Sequence, residues 1–497
     1  MACKGTSQEV NLELTQVEWQ EDLDFLKKRV ESTVPWIEEN ETTNEFLRVY
    51  ETLSATNPKD GDALVFELQR LLNSLKDEGC NLPYFQSALG TKLLPLKVNW
   101  FSDGLFIVDA NAANSSLIGA QIVKMNDTSV DEVFEGLKPY LNADNDHYKK
   151  YLFQAYGLMP NLLKAAGFGN DANGMVLEFT SGKNIRIESV PLEVYAKLNR
   201  ELPNDGVFEP LAIDHSDDNY WTEFFPDTKT LFVQIQKVVN NETGDSFGKF
   251  VSGIESLLTD GKVDKLVLDL RYGGGGNGFK LKSFTDLLRD SERINKRGNL
   301  FVLISNATRG TLAELTSILA LNTKAILVGQ PSAEGPNTVG DTKYITLPNS
   351  GLAISLTHTL WPTSWKQDAA TTLTPAMDIS YTHMDEQANV DPWLYAALQF
   401  SKEETPKSLT ENQIASLSGA YKINGRKVNL ENKNGRLFLT MGRKMKSFFE
   451  IHTEVYFDSE NILRTDIEGV ELSVSTDGNG NMKPTQLMWN QQQFVIQ

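Results

Sequence analysis

The first eighty residues repeat their apolar positions at helical spacing. Trp19, Leu23, Leu26 and Val30 recur at intervals of four and three, as do Leu64, Leu68, Leu71 and Leu75, so each run predicts a helix with one apolar stripe. Pro35 and the Asn57-Pro58 pair break the pattern. Further on the period falls to two. GLFIVDANAANSSLIGAQIVKMNDTSVDEVFEGL alternates branched apolar residues with turn formers, which predicts strands over 105–108 and 121–125 and a helix after Val130. Residues 175–179 and 185–190 read as two later strands, with a helical insertion at about 144–166 before them. A Pro-Asn-Asp-Gly turn at 203–206 then opens a third region. There 220–225 and 230–236 read as strands, 247–258 as a helix, and 266–270, 300–304 and 325–329 as buried strands, with a turn at 306–310 and a helix over 311–321. Strand and helix in alternation predict a mostly parallel sheet. Beyond Thr405 short alternating runs return at 428–430, 437–440, 448–451, 455–457 and 470–474. Asn-Gly at 424, 434 and 479 and Asp-Gly at 477 are hairpin signals, so 408–497 is expected to be a separate antiparallel β domain. It follows a polar linker, and a chain ending at Gln399 is expected to fold without it.

At 497 residues the chain has room for several domains and a large core. Its net charge of −19 argues against nucleic-acid backbones and anionic membrane surfaces as partners, since both would repel it. No apolar run approaches the length of a membrane span. The only cysteines are Cys3 and Cys80, so no disulfide framework holds the fold. The opening Met-Ala-Cys-Lys-Gly resembles the cleavage point of a bacterial lipoprotein whose leader is replaced by Met1. That resemblance implies a lipid on Cys3 and an extracytoplasmic place, periplasmic or at the cell surface. No metal or cofactor is expected.

The chemistry gathers after the strand at 266–270. VDKLVLDLRYGGGGNG ends that strand on Asp269 and Arg271 and then runs through four glycines, Gly273 to Gly276. Glycines there free the backbone to turn its N–H groups towards an anion or oxyanion. The order DLR-x-x-x-GG-N, a strand, a Thr-containing turn into a helix with Glu314, then AILVGQPSAEGPNTVG and ITLPNSGLAIS resembles the core of the C-terminal processing (tail-specific) serine peptidase family. TLTPAMDIS and VDPWLYAAL resemble that family's closing segments, and the likeness covers about residues 15–400. It implies an α/β fold with a crotonase/ClpP-like ββα core at 205–402, N-terminal helices at 1–85, a PDZ-like module at 86–200 and the C-terminal β domain after them. A PDZ-like groove takes peptide by strand addition, although the insertion at 144–166 favours a module kept as scaffold.

Matched residue by residue, the family's catalytic positions are altered. Its serine stands at the start of the helix after the second strand; anchoring on Thr308 and Gly329 puts Gly310 there, and anchoring on Glu314 puts Thr311 there. Thr311 reads as a cap of its own helix. The resemblance is nearest to the tricorn-like branch, whose base is a histidine in a turn corresponding to KDEGCNLPY, where Cys80 stands and Asp77 is kept. The lysine branch draws its base from the segment that here runs from Gly329 to Gly335 and holds no lysine. Of five histidines His358 is the one candidate near the presumed site. Gly275 and Gly276 match the family's double glycine, Asp269 and Arg271 would brace the loop, and the family's Asn in DLR-x-N is Gly273. Thr308, Gln330, Asn337 and His358 are expected to line the cleft. The expected function is capture of peptide or unfolded chain ends by a protein with impaired catalysis. The alternatives are an active serine-type peptidase with a shifted nucleophile, Thr311 or Ser305, and a carrier of an apolar small ligand.

Overall fold

The computed structural model describes residues 10–34, 41–56, 61–84, 89–197, 218–242, 244–401, 407–442 and 450–497. Cys3, Pro35, Asn57-Pro58, the 203–206 turn and Phe448 lie outside the described residues. The chain divides into two compact units, one of Met1–Phe208, Val339–Leu360 and Tyr381–Asn389, the other of Glu209–Thr338, Trp361–Ser380 and Val390–Gln497.

In the first unit α1 (Gln16–Thr33) starts at a capping box in which the Thr15 side chain and Glu18 satisfy each other's free N–H groups. Its stripe of Trp19, Leu23, Leu26 and Val30 is buried, and α2 (Glu41–Ser54) and α3 (Gly61–Asn73) follow. An antiparallel sheet orders β1 (Leu96–Phe101), β2 (Gly104–Ala110), β3 (Gln121–Met125), β4 (Gly174–Phe179) and β5 (Asn184–Glu188) as in the sequence. Between β3 and β4 come α4 (Val130–Leu137) and the insertion, α5 (Asp146–Tyr156) and α6 (Pro160–Ala165). Phe153 of α5 meets Trp100 of the edge strand β1 edge-on at 5.2 Å, so the insertion packs against that strand.

The second unit contains a sheet of six strands among the described residues: β6 (Tyr220–Phe225), β7 (Thr230–Ile235), β8 (Lys265–Asp269), β9 (Leu300–Ile304), β10 (Ile326–Gly329) and β11 (Met377–Asp378). Their spatial order is β11-β10-β9-β8-β7-β6, parallel throughout except for β6 against β7. The central strands are buried on both faces, as a parallel sheet covered by helices requires. The helices are α7 (Phe247–Thr259), α8 (Leu281–Asp290), α9 (Thr311–Asn322) and α10 (Pro392–Gln399).

After α11 (Glu411–Leu417) eight strands, β12 to β19, follow one another in an antiparallel meander from Gly419–Ile423 to Gln492–Val495. Lys422 and Gln497 exchange backbone hydrogen bonds of 2.9 Å, which nearly closes the sheet into a barrel. Of the run expected at 448–451 Ile451 opens the strand Ile451–Ser459, which also contains the run expected at 455–457. The break in the sequence pattern is Thr453 and Glu454, polar residues that are nevertheless buried. Glu454 is held by Arg436 and by Lys324, whose Nζ lies 2.9 Å from Oε2. The barrel's apolar cluster also includes Leu321 and Trp365, which precede it in sequence, so it shares its core with the rest of the unit. No helix among the described residues is long and apolar enough to cross a membrane.

Candidate functional site

The carboxyl ends of β8 and β9 carry the groups that the motifs single out, where ligands of open parallel sheets collect. Arg271 closes β8 with a buried double fork: Nε and Nη2 reach Asp269 at 2.9 and 2.8 Å, and Nη1 and Nη2 reach Asp391 at 2.9 and 2.7 Å. Burial works against that charge, yet the two carboxylates hold the guanidinium well above even its usual range. Asp391 also caps α10, so Arg271 ties the root of the glycine loop to that helix.

The glycines then have distinct reasons to be glycine. A Cβ on Gly273 would stand 2.3 Å from the Gln236 carbonyl oxygen, and one on Gly276 would stand 2.6 Å from Val238 backbone atoms. Gly275 has φ +85° with nothing near its missing side chain. The segment bridges Val238 on one side and Arg309 on the other. Part of the cluster thus serves close backbone approach and part serves a left-handed turn.

Gly310 stands at the junction of β9 and α9. Its φ of 53° and ψ of −134° belong to a region that side chains strain to enter, the kind of sharp strand-to-helix turn on which hydrolases expose a nucleophile. A Cβ there would lie 3.0 Å from the backbone nitrogen of Gly275, so the glycine loop faces this position. The Gly310 N–H donates to Glu334 Oε2 at 2.7 Å. No sequence motif points to Glu334, because its target is a backbone N–H, which leaves no side-chain pattern.

Thr311 is the first residue of α9, and the N-cap is Gly310, without a side-chain cap; the expectation that Thr311 caps its helix is corrected. Gly310 leaves helical backbone angles one residue earlier and therefore takes the cap position. The other hydroxyls of the turn are engaged. Ser305 Oγ donates to the Arg271 carbonyl at 2.5 Å, and Thr308 Oγ1 donates to the Leu270 carbonyl at 2.9 Å while accepting from Ser305 N–H at 3.0 Å. Both tie this turn to the end of β8. Gln330 N–H donates to the Ile304 carbonyl at 3.1 Å. Asn337 clamps a loop, donating to the carbonyls of Trp365 and Asp368 at 3.1 Å each. Glu314 is almost buried and lies 3.4 Å from Thr338 Oγ1.

Cys80 and His358 belong to the first unit. Cys80 is fully buried, donates from Sγ to Asp77 Oδ2 at 3.1 Å and lies 3.4 Å from Thr357 Oγ1. Burial pushes its thiol well above the usual range, and the neighbouring Asp77 adds to the shift, so the thiolate is disfavoured. Burial likewise raises the Asp77 carboxyl, against the hydrogen bonds from Thr357, Cys80 and Gly79. His358 is half-buried on a strand of the hairpin formed by Asn337–Thr346 and Ala353–Pro362, its Nδ1 3.0 Å from Thr359 Oγ1. No group of His, Cys, Asp and Glu among the described residues could hold a metal ion.

No protein-family model matches the sequence, and no curated protein does. Among solved structures the fold is similar to that of mature CPAF complexed with lactacystin, at 13% identity and a TM-score of 0.53 over 77% of this chain and 98% of that one. Mature CPAF in a second structure gives 14% identity and a TM-score of 0.52 over 77% and 97%. The photosystem II D1 C-terminal processing protease matches more loosely, at 11% identity and a TM-score of 0.34 over 74% and 94%. At this identity the likeness to CPAF is one of fold alone.

Proposed function

We propose that this protein uses a tail-specific peptidase fold to bind peptide or unfolded chain ends without hydrolysing them. In this reading β6 to β11 are a crotonase/ClpP-like core, and β1 to β5 are a PDZ-like module whose insertion keeps it as scaffold. The observation that carries the reading is Gly310. Acyl transfer by this chemistry needs a nucleophile, a base and N–H donors for the oxyanion. The position held in a nucleophile's backbone geometry has no side chain at all. A nucleophile's own N–H commonly serves the oxyanion hole, and here Gly310 N–H already binds the Glu334 carboxylate, a fixed anion where a second negative charge would be repelled. Ser305 and Thr308 hold the turn through their hydroxyls, Thr311 is buried inside the first turn of α9, and Cys80 is a buried thiol held protonated.

The test combines hydrolysis and binding. Purified protein should take up no fluorophosphonate probe and leave unfolded casein intact. Fluorescein-labelled unstructured peptides should gain anisotropy on titration with it. Casein cleavage that disappears in Thr311→Ala would overturn the non-catalytic part and make Thr311 the nucleophile. An absence of anisotropy change across a varied peptide set would overturn the binding part.

A further inference from the structure

Strand β6 is an edge of the core sheet, and among the described residues its ladder partner is β7. The Gln236 N–H donates to the Asn219 carbonyl at 2.8 Å, in line with the β6–β7 register, so those two residues form a hydrogen-bonded pair. Such pairs alternate along an antiparallel ladder. Trp221, Glu223 and Phe225 therefore turn their backbone groups towards β7, and Tyr220, Thr222 and Phe224 turn theirs away. Among the described residues nothing bonds the outward N–H groups of Thr222 and Phe224.

An open edge recruits another strand unless charge, proline or a bulge blunts it. Here the register with β7 runs without a break, the strand holds no proline, and Glu223 is its one charged residue. The apolar surface continues beside the edge. The Tyr220 ring lies 4.5 Å from that of Phe250 on α7, Phe224 and Phe250 are only partly buried, and Leu257 of the same helix is 41% exposed. The strand is also complementary to itself. Antiparallel self-pairing centred on Thr222 sets Tyr220 opposite Phe224, Thr222 opposite Thr222 and Trp221 opposite Glu223. All the outward-turned backbone groups then meet one another, and the one charge meets an indole instead of its own copy. A two-fold axis through Thr222, normal to the sheet, keeps both α7 helices on one face, where Phe250 and Leu257 extend the contact. A transient guest would leave so apolar an edge bare between visits, whereas a second copy is present wherever the first is.

We propose that the protein is a homodimer in which β6 pairs antiparallel with β6 of a second copy about an axis at Thr222, joining the two core sheets into one. The proposal is independent of the peptide reading.

Light scattering on the full chain as it elutes from a sizing column should give the mass of two chains. Thr222→Pro removes an outward N–H that β7 does not use, and should elute as a single chain with unchanged circular dichroism. Thr222→Lys sets like charges opposite each other at the axis and is the second variant should the proline not fold. In a Cys3→Ser background Thr222→Cys should link two chains by a disulfide under mild oxidation, because hydrogen-bonded partners lie about 5.5 Å apart at Cα. Glu223→Cys should not, because the residue opposite it is Trp221. Each copy carries a charge of −19, so the pair should loosen as salt is lowered. A single chain at every concentration, or two chains that persist in both Thr222→Pro and Thr222→Lys, would overturn the proposal. A dimer in which Thr222→Cys stays unlinked would overturn the register.

Discussion

At the scale of single residues, both units bury polar groups that hydrogen bonds or ions meet, as Asp77 and Glu454 show. Asp77 is the case where this leaves a measurable trace. It is nearly inaccessible, bonded by Cys80, Thr357 and Gly79 N–H, and burial raises its carboxyl above the ordinary aspartate range in spite of them. A raised carboxyl means that the folded chain binds more protons than the unfolded one between the ordinary and the raised value. Asp77's contribution to stability is therefore greatest below the ordinary aspartate value of about 3.9 and is lost as pH rises through the window above it. Other carboxyls, such as Asp466, shift in the same direction, so the difference from Asp77→Asn is the useful quantity. In urea unfolding the wild type should lose stability relative to Asp77→Asn as pH rises from 4 into the neutral range. A difference that stays constant with pH would mean that Asp77 keeps an ordinary titration.

Among elements, those with an unbroken pattern were legible in the sequence, and the residues that escaped did so for identifiable reasons. The strands at 121–125, 220–225 and 300–304 have the bounds that alternation or apolar run length gave them. In the barrel, the Asn-Gly turns at 424 and 434 both carry two consecutive positive φ values, as two-residue hairpin turns demand. The last hairpin turns instead on Asn490 and Gln491, both with positive φ and no glycine, so β19 gave no turn signal. At the site, Gly310 could be reached by motif spacing, whereas Glu334 depends on a contact between segments with no local pattern. The glycine loop separates two explanations of its composition. Gly275→Ala meets no atom and should cost about 1–2 kcal/mol for left-handed backbone alone. Gly273→Ala must displace the Gln236 backbone and should cost more. Chemical denaturation of the two variants measures the order. Equal small costs would show that the loop yields freely and that its glycines are kept for ligand access alone.

For the whole molecule the question is how far the C-terminal barrel is independent. Its sequence pattern suggested a removable domain, but its core is completed from outside. Trp365 is fully buried there, with its ring centroid 5.3 Å from that of Trp489 and 4.6 Å from that of Phe494, and Leu321 from the C-terminal end of α9 joins the same cluster. Lys324, just beyond α9, reaches Glu454 at 2.9 Å and the Tyr456 hydroxyl at 2.7 Å. A chain ending at Gln399 would expose Trp365 and Leu321 and leave Lys324 without its partners. Loss of the packing around one buried Trp is worth about 3–5 kcal/mol by analogy with truncating such side chains, a large share of a typical stability of about 5–15 kcal/mol. The 1–399 fragment should therefore bind the apolar dye ANS and unfold over a broader urea range than the full chain. Trp365→Ala in the full chain should lower stability by a similar amount while keeping the barrel present, which separates lost packing from lost chain. If the fragment stays monomeric, binds no dye and unfolds at the midpoint of the intact protein, Trp365 contributes nothing that the rest of its unit needs, and the barrel is independent after all.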